Sequence, residues 1–237
     1  RRVAAAVLAG LVALLGGLTL AERVADVDLG IDTLLFEESV RALAWEPAGR
    51  MATLSAFAFL CCGVGLLALE VRERRGVRAA DVPLLAALLV GFLALVGHLY
   101  GFVELYSVPM FDGTGGMART TAGAIFVLAF GVLAARPAAG VMSLVSTLDA
   151  SGVFLRRILP VVVVLPILLG WLYLEARDRQ LLQRESGISL LIAATVAIFA
   201  TVVLTSARTV RALDEQREAL LAREQAARAE AEEANRA

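Results

Sequence analysis

The 237-residue sequence contains no lysine, a single histidine and only two cysteines. One histidine, His98, cannot supply a His-rich metal site or a haem pair. Cys61 and Cys62 are adjacent, so they build no disulfide framework and no CxxC pair, and they read as small apolar packing residues. HExxH, a glycine-rich phosphate loop and a nucleophile beside a base are also missing, so no catalytic, cofactor-binding or metal site is expected in these residues. All 22 basic residues are arginine and the net charge is -1. No basic stripe with interleaved aromatics exists, which argues against nucleic acid as a partner. Charge itself is scarce, at 19% against 59% hydrophobic residues. A soluble domain would be nearer a quarter charged and about half apolar.

What the chain has instead is long uncharged runs, over 3–21, 51–69, 82–103, 120–135, 158–174 and 186–207. Crossing a bilayer takes about 20 apolar residues, with a usual range of about 17–25. Five runs qualify alone, and the fourth is expected to draw on residues 115–119, with Arg119 reaching the headgroups. The first run is longer than the apolar core of a signal peptide and is expected to be retained. A seventh stretch, 137–148, is too short and polar to span and reads as an interfacial or loop segment. Six crossings place both ends on one side. With the termini inside, 15 arginines are cytoplasmic and 7 external, so both termini are expected in the cytoplasm.

The sequence repeats itself. "GRMATLSAFAFLCCGVGLLALE" aligns with "GGMARTTAGAIFVLAFGVLAAR" at an offset of 66, matching Gly49/Gly115, Met51/Met117, Ala56/Ala122 and Gly65/Gly131 among others. The outgoing segments "LLGGLT", "LVGHLY" and "LLGWLY" share a Leu-x-Gly-x-Leu pattern, each followed by an acid at Glu22, Glu104 or Glu175. Three helical hairpins, each crossing out and back, are the expected architecture: an all-α polytopic membrane protein. Small residues at repeated positions let helix backbones approach closely, which is how helices associate in lipid.

The loop at 22–50 carries seven acids against three arginines, with Val24, Val27, Ile31, Leu34 and Leu35 on one helical face, as for a segment lying along the membrane surface. Asp26, Asp28 and Asp32 lie on its polar side, with spacing wrong for a calcium loop. Every Trp and Tyr (Trp45, Tyr100, Tyr106, Trp171 and Tyr173) falls at or beyond an outer helix end. They form either an interfacial belt or the walls of an outward-facing pocket. The pocket alternative makes His98, Tyr100, Glu104, Tyr106, Trp171 and Tyr173 the candidate sensing residues, with Asp112 close to His98 and Glu104.

From the sixth run the chain continues into "RALDEQREALLAREQAARAEAEEANRA" with no Gly or Pro. Leu213, Leu220, Ala227 and Ala234 recur every seven residues, and Glu224/Arg228 and Glu232/Arg236 are favourable i,i+4 pairs. The companion seam is charged, so a marginal coiled coil able to shift register is expected. Residues 1–207 therefore read as a transmembrane input domain and 208–237 as a cytoplasmic signalling helix.

"AREQAARAEAEEANRA" resembles the linker entering the dimerisation and phosphoacceptor domain of bacterial sensor histidine kinases. The whole chain is similar to the multi-helix N-terminal sensor region of such kinases, many of them hybrid, through "VDLGIDTLLF", "PAGRMATLSAFAFL" and "GGMARTTAGAIFVLAFGVLAARP". The resemblance implies the bacterial inner membrane, a homodimer through the C-terminal helix, and a response regulator engaged through a kinase domain beyond these residues. The family's phosphoacceptor histidine follows the linker and is absent here, so the first and last residues are expected to be cuts and these residues to have no kinase activity. A small permease with an oligomerising tail, or the input module of a cyclic-dinucleotide enzyme, are the alternatives.

Overall fold

The computed structural model describes residues 2–25, 27, 30, 51–71, 78–112, 115–147, 150–180 and 188–206. Among them every regular element is a helix, and there is no strand. The helices are α1 (Arg2–Ala25), α2 (Thr53–Leu67), α3 (Asp81–Tyr100), α4 (Pro109–Asp112), α5 (Arg119–Ala134), α6 (Val141–Ser146), α7 (Ala150–Asp178) and α8 (Ile188–Ser206). Short 3₁₀ turns follow α2 at Ala68–Glu70 and α3 at Val103–Leu105. Four helices, α1, α3, α7 over Gly152–Asp178, and α8, are long and apolar enough to cross a membrane. Helices are the form such sequences must take, because hydrocarbon offers no partner to an unsatisfied backbone amide or carbonyl. With 15 and 16 residues, α2 and α5 are shorter apolar helices of about 22–24 Å. Residues 115–118, expected to lengthen the fourth span, are not helical; Ala118 is extended (ψ 150°) and the helix starts at Arg119. The 22–50 loop is largely outside the described residues, as is the tail with Leu213, Leu220, Ala227 and Ala234.

The chain divides into two compact units, Arg1–Ser143 and Leu144–Ala237. In the first, α1 packs on α2, α3 on α5, and the two hairpins meet chiefly through α2 and α3. The core is built from small side chains: Ala56, Ala58, Ala87, Ala94, Ala122 and Ala129 are fully buried. The close approach is explicit at Gly16, where a Cβ would lie 2.5 Å from the Ala56 carbonyl oxygen and 2.6 Å from the Leu60 nitrogen. In the second hairpin a Cβ at Gly91 would lie 3.0 Å from both the Ala122 carbonyl oxygen and the Phe126 nitrogen. Ala56 to Ala122 and Leu60 to Phe126 is the 66-residue offset of the repeat.

The outgoing helices, however, superpose with a different register from the one their Leu-x-Gly pattern suggests. That pattern sets Gly16 on Gly97, whereas the packing sets Gly16 on Gly91. The same shift of 75 residues (16 to 91) carries the buried residues of α1, Ala9, Gly16, Thr19 and Glu22, onto Leu84, Gly91, Ala94 and Gly97, all buried in α3. Contact with the partner backbone, not similarity of letters, defines the equivalence. Gly16→Ala is therefore expected to force α1 and α2 apart and cost about 1–3 kcal/mol. Gly10→Ala, with nothing within 4 Å of the new Cβ, should be neutral or stabilising. Thermal unfolding of the two variants in detergent distinguishes them, and equal effects would contradict the close-packing interpretation.

In the second unit, α7 runs unbroken through Pro160 and Pro166, so these prolines do not interrupt the helix as their chemistry alone would suggest. Glu175 and Arg179 pair at 2.6 Å near its end, on the surface where such a pair contributes little. Along α8 the hydroxyls of Thr195, Thr201 and Thr205 donate to the carbonyls four residues earlier, leaving an apolar exterior.

Candidate functional site

Because α1 and α3 run one way and α2 and α5 return, the first unit has two polar ends. At one of them α3 stops on Gly101, whose φ of 73° is left-handed and whose amide donates back to the Gly97 carbonyl. This turn folds the following segment over the helix end and stacks Tyr106 on His98, with ring centroids 3.9 Å apart and planes inclined by 17°. The imidazole Nε2 lies 2.8 Å from the Met117 carbonyl oxygen. A carbonyl only accepts, so Nε2 carries the hydrogen and donates. The Met117 amide in turn donates to the Tyr106 carbonyl at 2.7 Å. His98, Tyr106 and Met117 thus clamp the loop between α3 and α5.

Of the other expected sensing residues, Tyr100 meets Phe102 edge-on with ring centroids 6.1 Å apart, and Glu104 is exposed on the 3₁₀ turn. Trp171 and Tyr173 lie on α7 in the second unit, the first about half exposed and the second half-buried. Asp112 turns away from the expected gathering with His98 and Glu104. It closes a buried knot with Arg23, Nη1 to Oδ1 at 3.2 Å, both side chains at least nine-tenths buried. Its Oδ1 accepts from the Thr53 amide at 2.9 Å and the Thr53 hydroxyl at 2.8 Å, and its Oδ2 from the Val108 amide at 2.8 Å. Arg23 also donates to the Met51 carbonyl at 2.7 Å and to that of Phe111. One carboxylate therefore caps the start of α2, holds the end of α1 and fixes the loop before α5.

The opposite end has its own buried pair. Arg78 and Asp81, 4% and 0% exposed, approach to 3.1 Å. Asp81 Oδ2 accepts from the Arg78 amide at 3.1 Å and the Val141 amide at 3.0 Å, tying the start of α3 to the segment after α5. Arg136 donates to the Leu69 carbonyl at 2.9 Å, joining the ends of α5 and α2. Neither buried pair was visible in the sequence. Arg23 and Asp112 are far apart along it, and charges at helix ends read as interfacial by default. The one available signal is that Asp81 directly precedes the 82–103 run and Arg23 lies two residues past the 3–21 run; nothing comparable marks Asp112. Any displacement of this loop is coupled to α1 and α2 together, because Asp112 is bonded to all three segments. No protein-family model, curated protein or solved structure matches the chain.

Proposed function

We propose that the chain is the membrane-embedded sensory input region of a signal-transducing histidine kinase, relaying a stimulus through its last membrane helix into a charged cytoplasmic helix. The observation that carries this is the unbroken sequence from α8 into the heptad tail, with no Gly or Pro from Ser189 to Ala237. Support comes also from the polar end at Asp112, where a loop displacement is shared at once by two helices. In this reading there are six crossings, with α2 and α5 as the two shorter spans, and α7 and α8 form the third hairpin. The tails dimerise through Leu213, Leu220, Ala227 and Ala234, and the attached kinase domain addresses a response regulator. The same relay would serve a cyclic-dinucleotide enzyme. A permease is less favoured, because α7, the helix with two internal prolines, remains continuous.

Both termini face the cytoplasm of a bacterial inner membrane in this proposal. With Cys61 and Cys62 replaced by alanine, a cysteine at Thr33 is expected to react with an impermeant maleimide from outside, and one at Gly76 only after permeabilisation. The reverse labelling would invert the topology and remove the tail from the cytoplasm. The relay itself is tested by joining the chain in frame to the catalytic half of a histidine kinase and measuring how autophosphorylation depends on the helical phase at Ala207.

A further inference from the structure

At the Arg136 end of the first unit, a cavity of about 280 Å³ opens between the first turns of α1 and the last of α2. Two arginines, Arg2 and Arg136, line it on the polar side. Its other walls are Ala5 and Ala6 of α1, Leu66 and Leu67 of α2, and Leu69 of the 3₁₀ turn that follows, so small alanine side chains leave the space open on the α1 side. Arg136 spends one Nη1 hydrogen on the Leu69 carbonyl, which orients the guanidinium at the rim. A guanidinium has five hydrogens in a planar fork that suits a phosphate. The apolar wall continues outward: Leu67 shares a helix face with Val64 and Phe57, and all three are partly exposed.

We infer that this cavity binds the phosphate-bearing headgroup of an anionic membrane lipid. The headgroup phosphate sits between Arg2 and Arg136, and an acyl chain follows the face of Phe57, Val64 and Leu67. Both features are needed to choose the occupant. Two arginines alone would accept any phosphate, but a water-soluble phosphate would leave the leucine wall facing water. An amphiphile covers both surfaces, and basic pockets between helix ends at the headgroup level are where anionic lipids are held. The inference is independent of the sensory function proposed above and requires only that the first unit lies in a bilayer.

The test uses the full chain in nanodiscs of equal parts phosphatidylglycerol and phosphatidylcholine, released for native mass spectrometry to count retained lipids. Phosphatidylglycerol should be retained in preference, and Arg136→Gln and Arg2→Gln should each lower its retention about fivefold. Arg136→Lys should keep most of it. Ala6→Leu, which leaves both charges and fills the cavity, should abolish it. Helical content of each variant is read by circular dichroism; if Ala6→Leu does not fold, the contrast between Gln and Lys at Arg136 decides. Phosphatidylglycerol retention unchanged in Arg2→Gln and Arg136→Gln would overturn the site. In discs of phosphatidylcholine alone, inorganic phosphate is added and followed by phosphorus NMR. Binding that Arg136→Gln removes, without any lipid preference in the mixed discs, would assign the cavity to a soluble phosphate and overturn the lipid occupant.

Discussion

Asp112→Ala is expected to destabilise the first unit by about 3–5 kcal/mol, the range for removing one partner of a buried ion pair. The arginine it leaves behind is buried, and Arg23 Nε has no hydrogen-bond partner among the described residues. Without the carboxylate, Arg23 keeps, among the described residues, only the Met51 and Phe111 carbonyls, while the Thr53 and Val108 amides lose their acceptor. The loss is larger than a simple helix-cap deletion, which costs about 1 kcal/mol, because a charge is stranded as well. Asp112→Asn should be milder, since an amide oxygen can still accept from Thr53. Removing Arg23 as well relieves the stranded charge, so the double variant should be less destabilised than the two single variants taken additively, by about 0.5–3 kcal/mol. Chemical or thermal unfolding in detergent gives all four corners of the cycle. Additive single effects, or a near-neutral Asp112→Ala, would mean that the knot does not hold the helices together.

The second large effect is expected at the other end, from a single methyl group. Gly140 has a φ of 61°, and a Cβ there would sit 2.1 Å from Asp81 Oδ2 and 2.6 Å from Arg78 Nε. Gly140→Ala therefore has to displace the buried carboxylate from the Val141 amide or from Arg78, in addition to the backbone cost of about 1–2 kcal/mol for a left-handed residue with a side chain. Gly101 provides the internal control. Its φ of 73° is similar, but nothing lies within 4 Å of the added Cβ. Gly101→Ala should cost the backbone term alone, and Gly140→Ala several kcal/mol, comparable with Asp81→Ala. Equal costs at the two glycines would show that the Arg78–Asp81 pair yields to crowding without loss.

Hydrophobicity carried the helical class, since runs without charge must be helices if they lie in lipid. The repeat was half legible. Its returning helices carry enough identical small residues to fix the offset, and Ala56/Ala122 then meet equivalent glycines. Its outgoing helices do not, because in Leu- and Gly-rich sequence several registers look alike; the burial of Thr19 and Ala94, with unlike side chains, marks the true one. For the candidate site, His98 and Tyr106 stood together among the expected outer residues, and the structure stacks their rings. The partnership of Arg23 with Asp112 was not, as nothing local encodes a contact between a helix end and a loop so distant in sequence. Glu104 looked equivalent to Asp112 by charge and position, yet it is exposed and Asp112 is buried.

The proposed relay is tested most directly by changing the phase of the helix proposed to carry it. In the chimaera with a histidine-kinase catalytic half, the proposal that the last helix continues into the tail requires one residue inserted after Ala207 to rotate everything below by about 100° relative to the membrane helices. Seven inserted residues restore the phase nearly, while lengthening the helix by about 10 Å. In the sequence, Leu213 and Leu220 recur every seven residues while the companion positions are charged, so the proposed association of two tails would be weak. In the proposed relay, a few kcal/mol from the membrane side would then be enough to shift the register population. Autophosphorylation in membranes should lock high or low with one added residue and recover in part with seven. Output that tracks the number of inserted residues without regard to helical phase would contradict transmission through a continuous last helix.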